Sequence, residues 1–392
     1  MDVGSVTFSF FLIFSGAAVL ATLALYTRQP LIVAYIVLGA ALGPFGLSLV
    51  TDVKLLADIS HVGIIFLLFL LGLDMQPQAL VATLKKSTFV AVVSSALFLV
   101  TGFGVARLFG FTRFDALVIG ASMMFSSTII GIKLLPTTVL HHRHTGELMV
   151  GLLLLQDLLA IIVLMLLLGV SESGGAEVSG WGVLASLMGL PLLLGAAFLV
   201  VRYVLLPLIQ RFDRFHEYIF LLAIGWCLGV TEAGAALGLS EEIGAFIAGI
   251  TIATSPISQY IAVNLKPLRD FFLVLFFFSV GARFDLGLLD EVLLPATVLA
   301  GIVLTIKPVA YRFLLKGVSE QRTLAWDLGF RLGQASEFSL LIAYVAAAGA
   351  LVSSQASLLI QATTILTFFV SSYVVVLNYP SPIAISDHLR RD

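Results

Sequence analysis

The chain has 392 residues, 60% of them hydrophobic and only 11% charged, with a formal net charge of -2. A water-soluble domain of this length cannot hide that much apolar surface, so the solvent of this protein is lipid. The net charge says nothing about nucleic acid, but no basic run of the kind that binds phosphate backbones is present, so no nucleic-acid partner is expected; the single cysteine, Cys227, excludes an intrachain disulfide.

Cutting the sequence at charged and Gly-, Pro- or Asn-rich stretches predicts an all-α polytopic membrane protein with thirteen apolar segments. They run over about 6–26, 30–49, 58–73, 86–109, 114–137, 147–169, 181–206, 217–237, 241–255, 264–282, 290–315, 322–349 and 354–377. The start lacks a basic n-region and a small-residue cleavage site, so 6–26 is expected to be a first span and not a removable signal. Segments two, three and nine are short, which predicts tilted or half-depth helices.

Lysine and arginine orient the stack. Alternate loops place Arg28, Lys85, Lys86, Arg143, Arg202, Arg211, Arg214, Lys266, Arg269, Arg312, Lys316, Arg322, Arg390 and Arg391 on one side, against Lys54, Arg107, Arg113 and Arg283 on the other. The positive-inside rule then expects the N-terminus outside and the C-terminus in the cytoplasm.

Two segments are interrupted in equivalent places. The fifth breaks at Phe125-Ser126-Ser127-Thr128 and the twelfth at Gly333-Gln334-Ala335-Ser336-Glu337. If the seventh segment is a linker, two halves of six remain and each broken helix is fifth in its half. An odd linker inverts the second half, giving a 6+1+6 inverted repeat. The expected domains are 1–180 for the first repeat, 181–210 for the linker helix, 211–380 for the second repeat and 381–392 for a cytoplasmic tail. Paired interrupted helices point to a midplane binding site.

The sixth segment carries Asp157 about a third of the way along a spanning helix, beside Gln156. A charge at that depth costs roughly 2.5–3.5 kcal/mol on insertion scales, so such a group faces a path for ions or water, or is a buried acid bonded to another helix. The amide oxygen of Gln156 is a hard ligand suited to an alkali cation. Ser126, Ser127 and Thr128 read two ways, as hydroxyls at an unwound backbone or as side chains bonded back to their own helix. Lys307 sits mid-segment, too deep to snorkel, and needs an anion or a carbonyl end; helix-break carbonyls, Asp157 and Glu337 are the candidates. Gln334 and Glu337 share a face if helical, and Arg331 is expected to pair with Glu337 or with half-helix carbonyls. Glu241 reads as a charge at a helix N-terminus, and Glu242 as lining an entrance. Asp74 reads as a boundary residue. His141, His142 and His144 form a loop cluster without the partners of a tetrahedral metal site. No nucleotide-binding or hydrolase signature is present, so neither an enzyme nor a cofactor is expected.

The runs Leu155-Gln156-Asp157, Ser126-Ser127-Thr128, Gly238-Leu239-Ser240-Glu241-Glu242-Ile243-Gly244-Ala245-Phe246-Ile247-Ala248-Gly249, Phe276-Phe277-Phe278-Ser279-Val280-Gly281 and Gly333-Gln334-Ala335-Ser336-Glu337-Phe338 together resemble the membrane domain of Kef-type monovalent cation:proton antiporters. The resemblance runs in order along essentially the whole chain. It implies the cation:proton antiporter fold with two crossed broken helices, a homodimer, a bacterial inner membrane (or a chloroplast one), and an elevator-like exchange. It further implies that Asp157 binds cation and proton beside Gln156, with Ser126, Ser127 and Thr128 at the first crossover. Gln334, Glu337 and Arg331 would serve the second, and Lys307 would brace both. Relatives that exchange sodium electrogenically carry two adjacent acids where this chain has Gln156-Asp157, so potassium is favoured, with sodium the alternative. The sequence ends at Asp392, without the nucleotide-binding regulatory domain of Kef systems. The rival readings are a gated, channel-like potassium efflux pathway and a non-transporting membrane sensor.

Overall fold

A computed structural model describes residues 6–381 apart from 28, 51–52, 75–76, 134–143, 173–179, 213, 238, 240, 254, 256 and 318–319. Within helices it leaves undescribed the side chains of 53–60, 74, 77–87, 168–172, 180–188 and some single residues, Glu242 and His144 among them. The cluster His141, His142 and His144 therefore lies outside the described side chains, as do Asp74 and Glu242.

The described residues are mostly helical, with no strand ladder among them. In chain order the helices are α1 (Val6–Tyr26), α2 (Leu31–Leu42), α3 (Val53–Asp74), α4 (Pro77–Leu108), α5 (Arg113–Ser122), α6 (Thr128–Lys133), α7 (His144–Glu172) and α8 (Gly180–Val200). A wide turn at Val201–Leu205 carries α8 into α9 (Leu206–Arg211). Then follow α10 (His216–Ala236), α11 (Glu241–Ala253), α12 (Ser258–Ala282), α13 (Leu289–Gly317), α14 (Arg322–Arg331), α15 (Glu337–Ala348) and α16 (Ser354–Asn378). Among the described residues six helices are long and apolar enough to cross a bilayer, and six more are apolar but shorter. The fifth and twelfth predicted segments are each two helices with an irregular stretch between them.

The third segment departs from expectation. It is not short, because α3 begins at Val53 and takes in Lys54 and Asp58, for 22 residues in all. Charged residues end an apolar run but not a helix, whose backbone bonds continue into the polar layer. Segments two and nine are short helices of 12 and 13 residues.

Polarity is arranged inside out. Phe11, Val19, Leu23, Val100, Leu192 and Phe313 are exposed, whereas Ser126, Ser127, Gln156, Asp157, Lys307 and Gln334 are fully buried. Lipid as solvent accounts for the first set, and the second marks the polar interior.

The chain forms two compact units. One comprises Met1–Thr51, Leu80–Leu167 and Val280–Asp392, and the other Asp52–Ala79 and Leu168–Ser279. In the first, α13 packs on α14 and α16, α15 lies along α16, and α5 touches both α15 and α16. Val90, Phe98, Met149, Leu152, Tyr311 and Leu328 form an apolar core there. Asp115, in the first turn of α5, accepts hydrogen bonds from the backbone N–H and the hydroxyl of Ser353, which caps α16, at 3.0 and 3.1 Å.

In the second unit α3 and α11 meet most closely. A Cβ on Gly249 would overlap the carbonyl oxygen of Phe69, so glycine is what lets the two backbones touch. The Trp226 indole donates to the carbonyl of Ala248, tying α10 to α11 at 3.1 Å. Glu241 at the start of α11 has His61 of α3 3.7 Å away, a partner beyond its helix end that pairs as an ion only when the imidazole is protonated.

Candidate functional site

The site is built on two interruptions within one compact unit. Helix α5 ends at Ser122 and α6 begins at Thr128; helix α14 ends at Arg331 and α15 begins at Glu337. In hydrocarbon each exposed backbone group needs a partner, so the question is where those of the two breaks go.

In the first break, the Ser126 N–H donates to Gln156 Oε1 at 3.0 Å and the Phe125 carbonyl accepts from Lys307 Nζ at 2.5 Å. The Ser127 hydroxyl accepts from the Ile130 N–H at 3.1 Å, which is the bond an N-cap residue makes to start a helix. In the second break, the Gln334 carbonyl accepts from Lys307 Nζ at 2.9 Å and the Ala335 N–H donates to Thr367 Oγ1 at 3.1 Å. Ser336 caps α15, with Ser339 returning the bond to the Ser336 N–H.

The breaks are also tied to each other. The Ser126 hydroxyl donates to the Leu332 carbonyl at 2.7 Å, and the Ser339 hydroxyl donates to the Ser122 carbonyl at 2.5 Å. Lys307 belongs to both, because one ammonium binds a carbonyl from each. Of the three partners open to it from sequence, it takes the carbonyls. Its nitrogen also lies 5.1 Å from the centre of the Phe98 ring, a cation–π contact that helps a desolvated charge.

Asp157 lies fully buried against this crossing. Its carboxylate accepts from the Thr128 hydroxyl, at 3.0 Å to Oδ2 and 3.3 Å to Oδ1. Glu337, itself buried, is near enough for its charge to be felt by Asp157. A carboxylate that loses its water shell here gains a hydroxyl and a like-charged neighbour. The arrangement leaves it suited to take a proton or a monocation.

Several candidates occupy places other than those expected. The Gln156 amide oxygen is engaged by the Ser126 N–H, and its nitrogen donates to Tyr311 Oη at 2.5 Å. That side chain therefore holds the break. Ser126 and Ser127 are likewise used as crossing and cap, leaving Thr128 as the hydroxyl on the acid. Gln334 is not helical, so the shared face with Glu337 does not exist; its Oε1 accepts from Ser371 at 2.8 Å. Arg331 binds Asp327 one turn back at 2.7 Å and the Pro380 carbonyl at 2.7 Å, and it lies 5.9 Å from the Tyr379 ring. It thus ties its own helix to the segment after α16.

Sequence reading missed Tyr311, Ser336, Ser339, Thr367 and Ser371. Tyr311 could have been found, since it stands one turn after Lys307 on α13. Ser336 had the signature of a cap before an apolar run. Thr367 and Ser371 had no local signal beyond being polar residues in an apolar helix.

Over residues 11–377 the chain matches the family described as sodium/hydrogen exchanger, transmembrane. It is 28% identical over 347 residues to the iron transporter MagA of Paramagnetospirillum magneticum, covering 88% of this chain and 79% of MagA. It is 31% identical over 349 residues to K(+) efflux antiporter 4 of Arabidopsis thaliana, covering 86% of this chain and 58% of that protein. The chain thus spans less than two thirds of the length of the plant relative. Among solved structures, the sodium proton antiporter MjNhaP1 from Methanocaldococcus jannaschii superposes with a TM-score of 0.66 at 15% identity, over 92% of this chain and 97% of that one.

Proposed function

The chain belongs to the transmembrane sodium/hydrogen exchanger family, and from that premise we propose that it exchanges a monovalent cation, potassium in preference to sodium, for protons. Its relatives are transporters and not enzymes. The observation that carries the reading is the placement of Asp157: a fully buried acid, bonded to one hydroxyl, beside two helix breaks whose own backbone groups are paired elsewhere.

The exchange follows from competition at that carboxylate. A proton and a cation each neutralise it, and neither binds well while the other is there. An empty, charged Asp157 is costly to carry across the barrier, whereas either loaded form is neutral. Exchange is then obligatory without a chemical energy source. Lys307 keeps the crossing of the two breaks assembled throughout, because its charge is spent on carbonyls. The same reading includes thirteen spans in inverted repeats, an elevator-like movement, a homodimer, an inner-membrane location and a cytoplasmic C-terminus. The family resemblance and the lysine and arginine bias support these.

The test uses purified protein in liposomes with an imposed pH gradient and an internal pH-sensitive dye. Potassium, sodium, lithium and choline are added in turn to wild type and to Asp157→Asn. Proton movement driven by potassium, weaker with sodium and lost in the folded variant, is the expected result. Cation flux that proceeds without proton return would replace exchange by a channel-like pathway. Exchange that survives Asp157→Asn would remove the acid from its role.

A further inference from the structure

The compact unit that holds Asp157 also contains a cavity of about 270 Å³, lined by Arg283, Asp285, Tyr344, Ser357, Gln361 and Leu340 among others. It lies at the ends of α12 and α15 and the beginning of α16, the face that the lysine and arginine bias puts outside. Two features distinguish it from a packing defect. Its largely apolar wall carries the charged groups Arg283 and Asp285, with the Arg283 guanidinium 4.9 Å from the centre of the Tyr344 ring. At its deep end Gln361, only 8% exposed, donates from Nε2 to the Ser357 hydroxyl at 3.1 Å, while its Oε1 has no hydrogen-bond partner among the described residues. A buried acceptor left unpaired in a space large enough for several waters calls for a donor, and water is the donor that fits.

The depth of that end follows from the pairing of α15 with α16. The Ser357 hydroxyl donates to the Ala343 carbonyl, and the Ala335 N–H donates to the Thr367 hydroxyl. With the two helices antiparallel in this register, Gln361 stands level with Leu340. Leu340 lines the cavity, and Glu337 is three residues before it, on the same face and one turn deeper, roughly 5 Å along the axis.

We propose that this cavity is a water-filled proton-access path from that face to Glu337, separate from the site where Asp157 meets Thr128. Gln361 orients the innermost water through its unpaired oxygen. A proton arriving on that water binds the Glu337 carboxylate and so cancels the charge that Asp157 feels from it. Among the described residues, the charged groups near this route include Arg283 and Asp285 on the cavity wall, Asp157 on α7, and Lys307 on α13, whose Nζ is held by the Phe125 and Gln334 carbonyls. The proposal rests on the exchanger reading above and adds to it a route for protons.

The test exploits the single cysteine, Cys227, which is buried. In a Cys227→Ala background, Leu358→Cys places a thiol on the cavity wall and Asp285→Cys one at its mouth. Proteoliposomes are treated with a small charged methanethiosulfonate on one side or the other. Both thiols should be modified from the same single face, and the adduct at 358 should slow potassium-driven proton movement and flatten its dependence on the pH of that face. Gln361→Leu, without any label, should weaken the dependence of exchange rate on the pH of that face. Failure to modify position 358 from either face, or full exchange after it is modified, would overturn the proposal. Absence of exchange in the unlabelled background protein would instead defeat the exchanger reading, and this route with it.

Discussion

The two helix breaks have the same outline and different supports. The first, between α5 and α6, has neither glycine nor proline, and its backbone groups are satisfied by long side chains from α7 and α13, those of Gln156 and Lys307. The second, between α14 and α15, contains Gly333 and is largely secured by short hydroxyls, with Ser336 and Ser339 closing the start of α15 and Thr367 of α16 taking the Ala335 N–H. The acid stands beside the first. The break next to Asp157 is thus the one that takes a glutamine from α7 as well as the shared lysine, and a change there is transmitted to both partners. The second also draws on Lys307 and on Ser126 of the first break, but it adds a reciprocal serine cap of its own.

That contrast can be broken most severely at the residue common to both. Lys307→Ala strands two buried carbonyls at once, and at about 1–3 kcal/mol for each unsatisfied group the loss is on the order of 4 kcal/mol; a large fall in detergent-solubilised Tm, with exchange abolished, is expected. A small change in Tm would mean that the carbonyls find water. Gln156→Leu should act on the first break alone, leaving the buried Ser126 N–H without its partner at a cost of about 2 kcal/mol. Thermal melts would show it, and a null effect would equate the two breaks.

Thr128→Val sharpens the comparison differently. It removes a hydroxyl from Asp157 and no backbone bond, so Tm should hold. A hydrogen bond to a charged group is worth about 1.5–3 kcal/mol, so the cation concentration for half-maximal exchange should move by about tenfold or more. Ser336→Ala is the mildest: loss of an N-cap costs about 1 kcal/mol, and exchange should persist with a slightly lower Tm. A loss as large as that of Gln156→Leu would show the second break to be no more independent than the first.

Much of this was readable from residue type. A carboxylate, a lysine and runs of hydroxyls have no place in apolar helices unless something pairs them, and each marked a part of the crossing. What could not be read was the pairing. Ser126 meets Leu332 across 206 positions and Ser339 meets Ser122 across 217, and no spacing rule links them. Gln156 illustrates the limit: its chemistry suited a cation, but the backbone of the first break takes its oxygen. Arg331 is a different lesson, since Asp327 lies four residues before it, the ordinary distance for a helical ion pair. The local partner was there to be read.

The separations along the chain also impose a timetable on biosynthesis. Gln156 follows Ser126 by 30 residues, so the ribosome supplies that partner soon after the first break is made. Lys307 comes 182 residues after Phe125, and its second carbonyl, at Gln334, 27 residues later still. Until those 182 residues have been added the Phe125 carbonyl has no lysine to meet. The Gln156 bond is therefore the early latch, the lysine the late one, and the crossing closes only after Gln334 has been made.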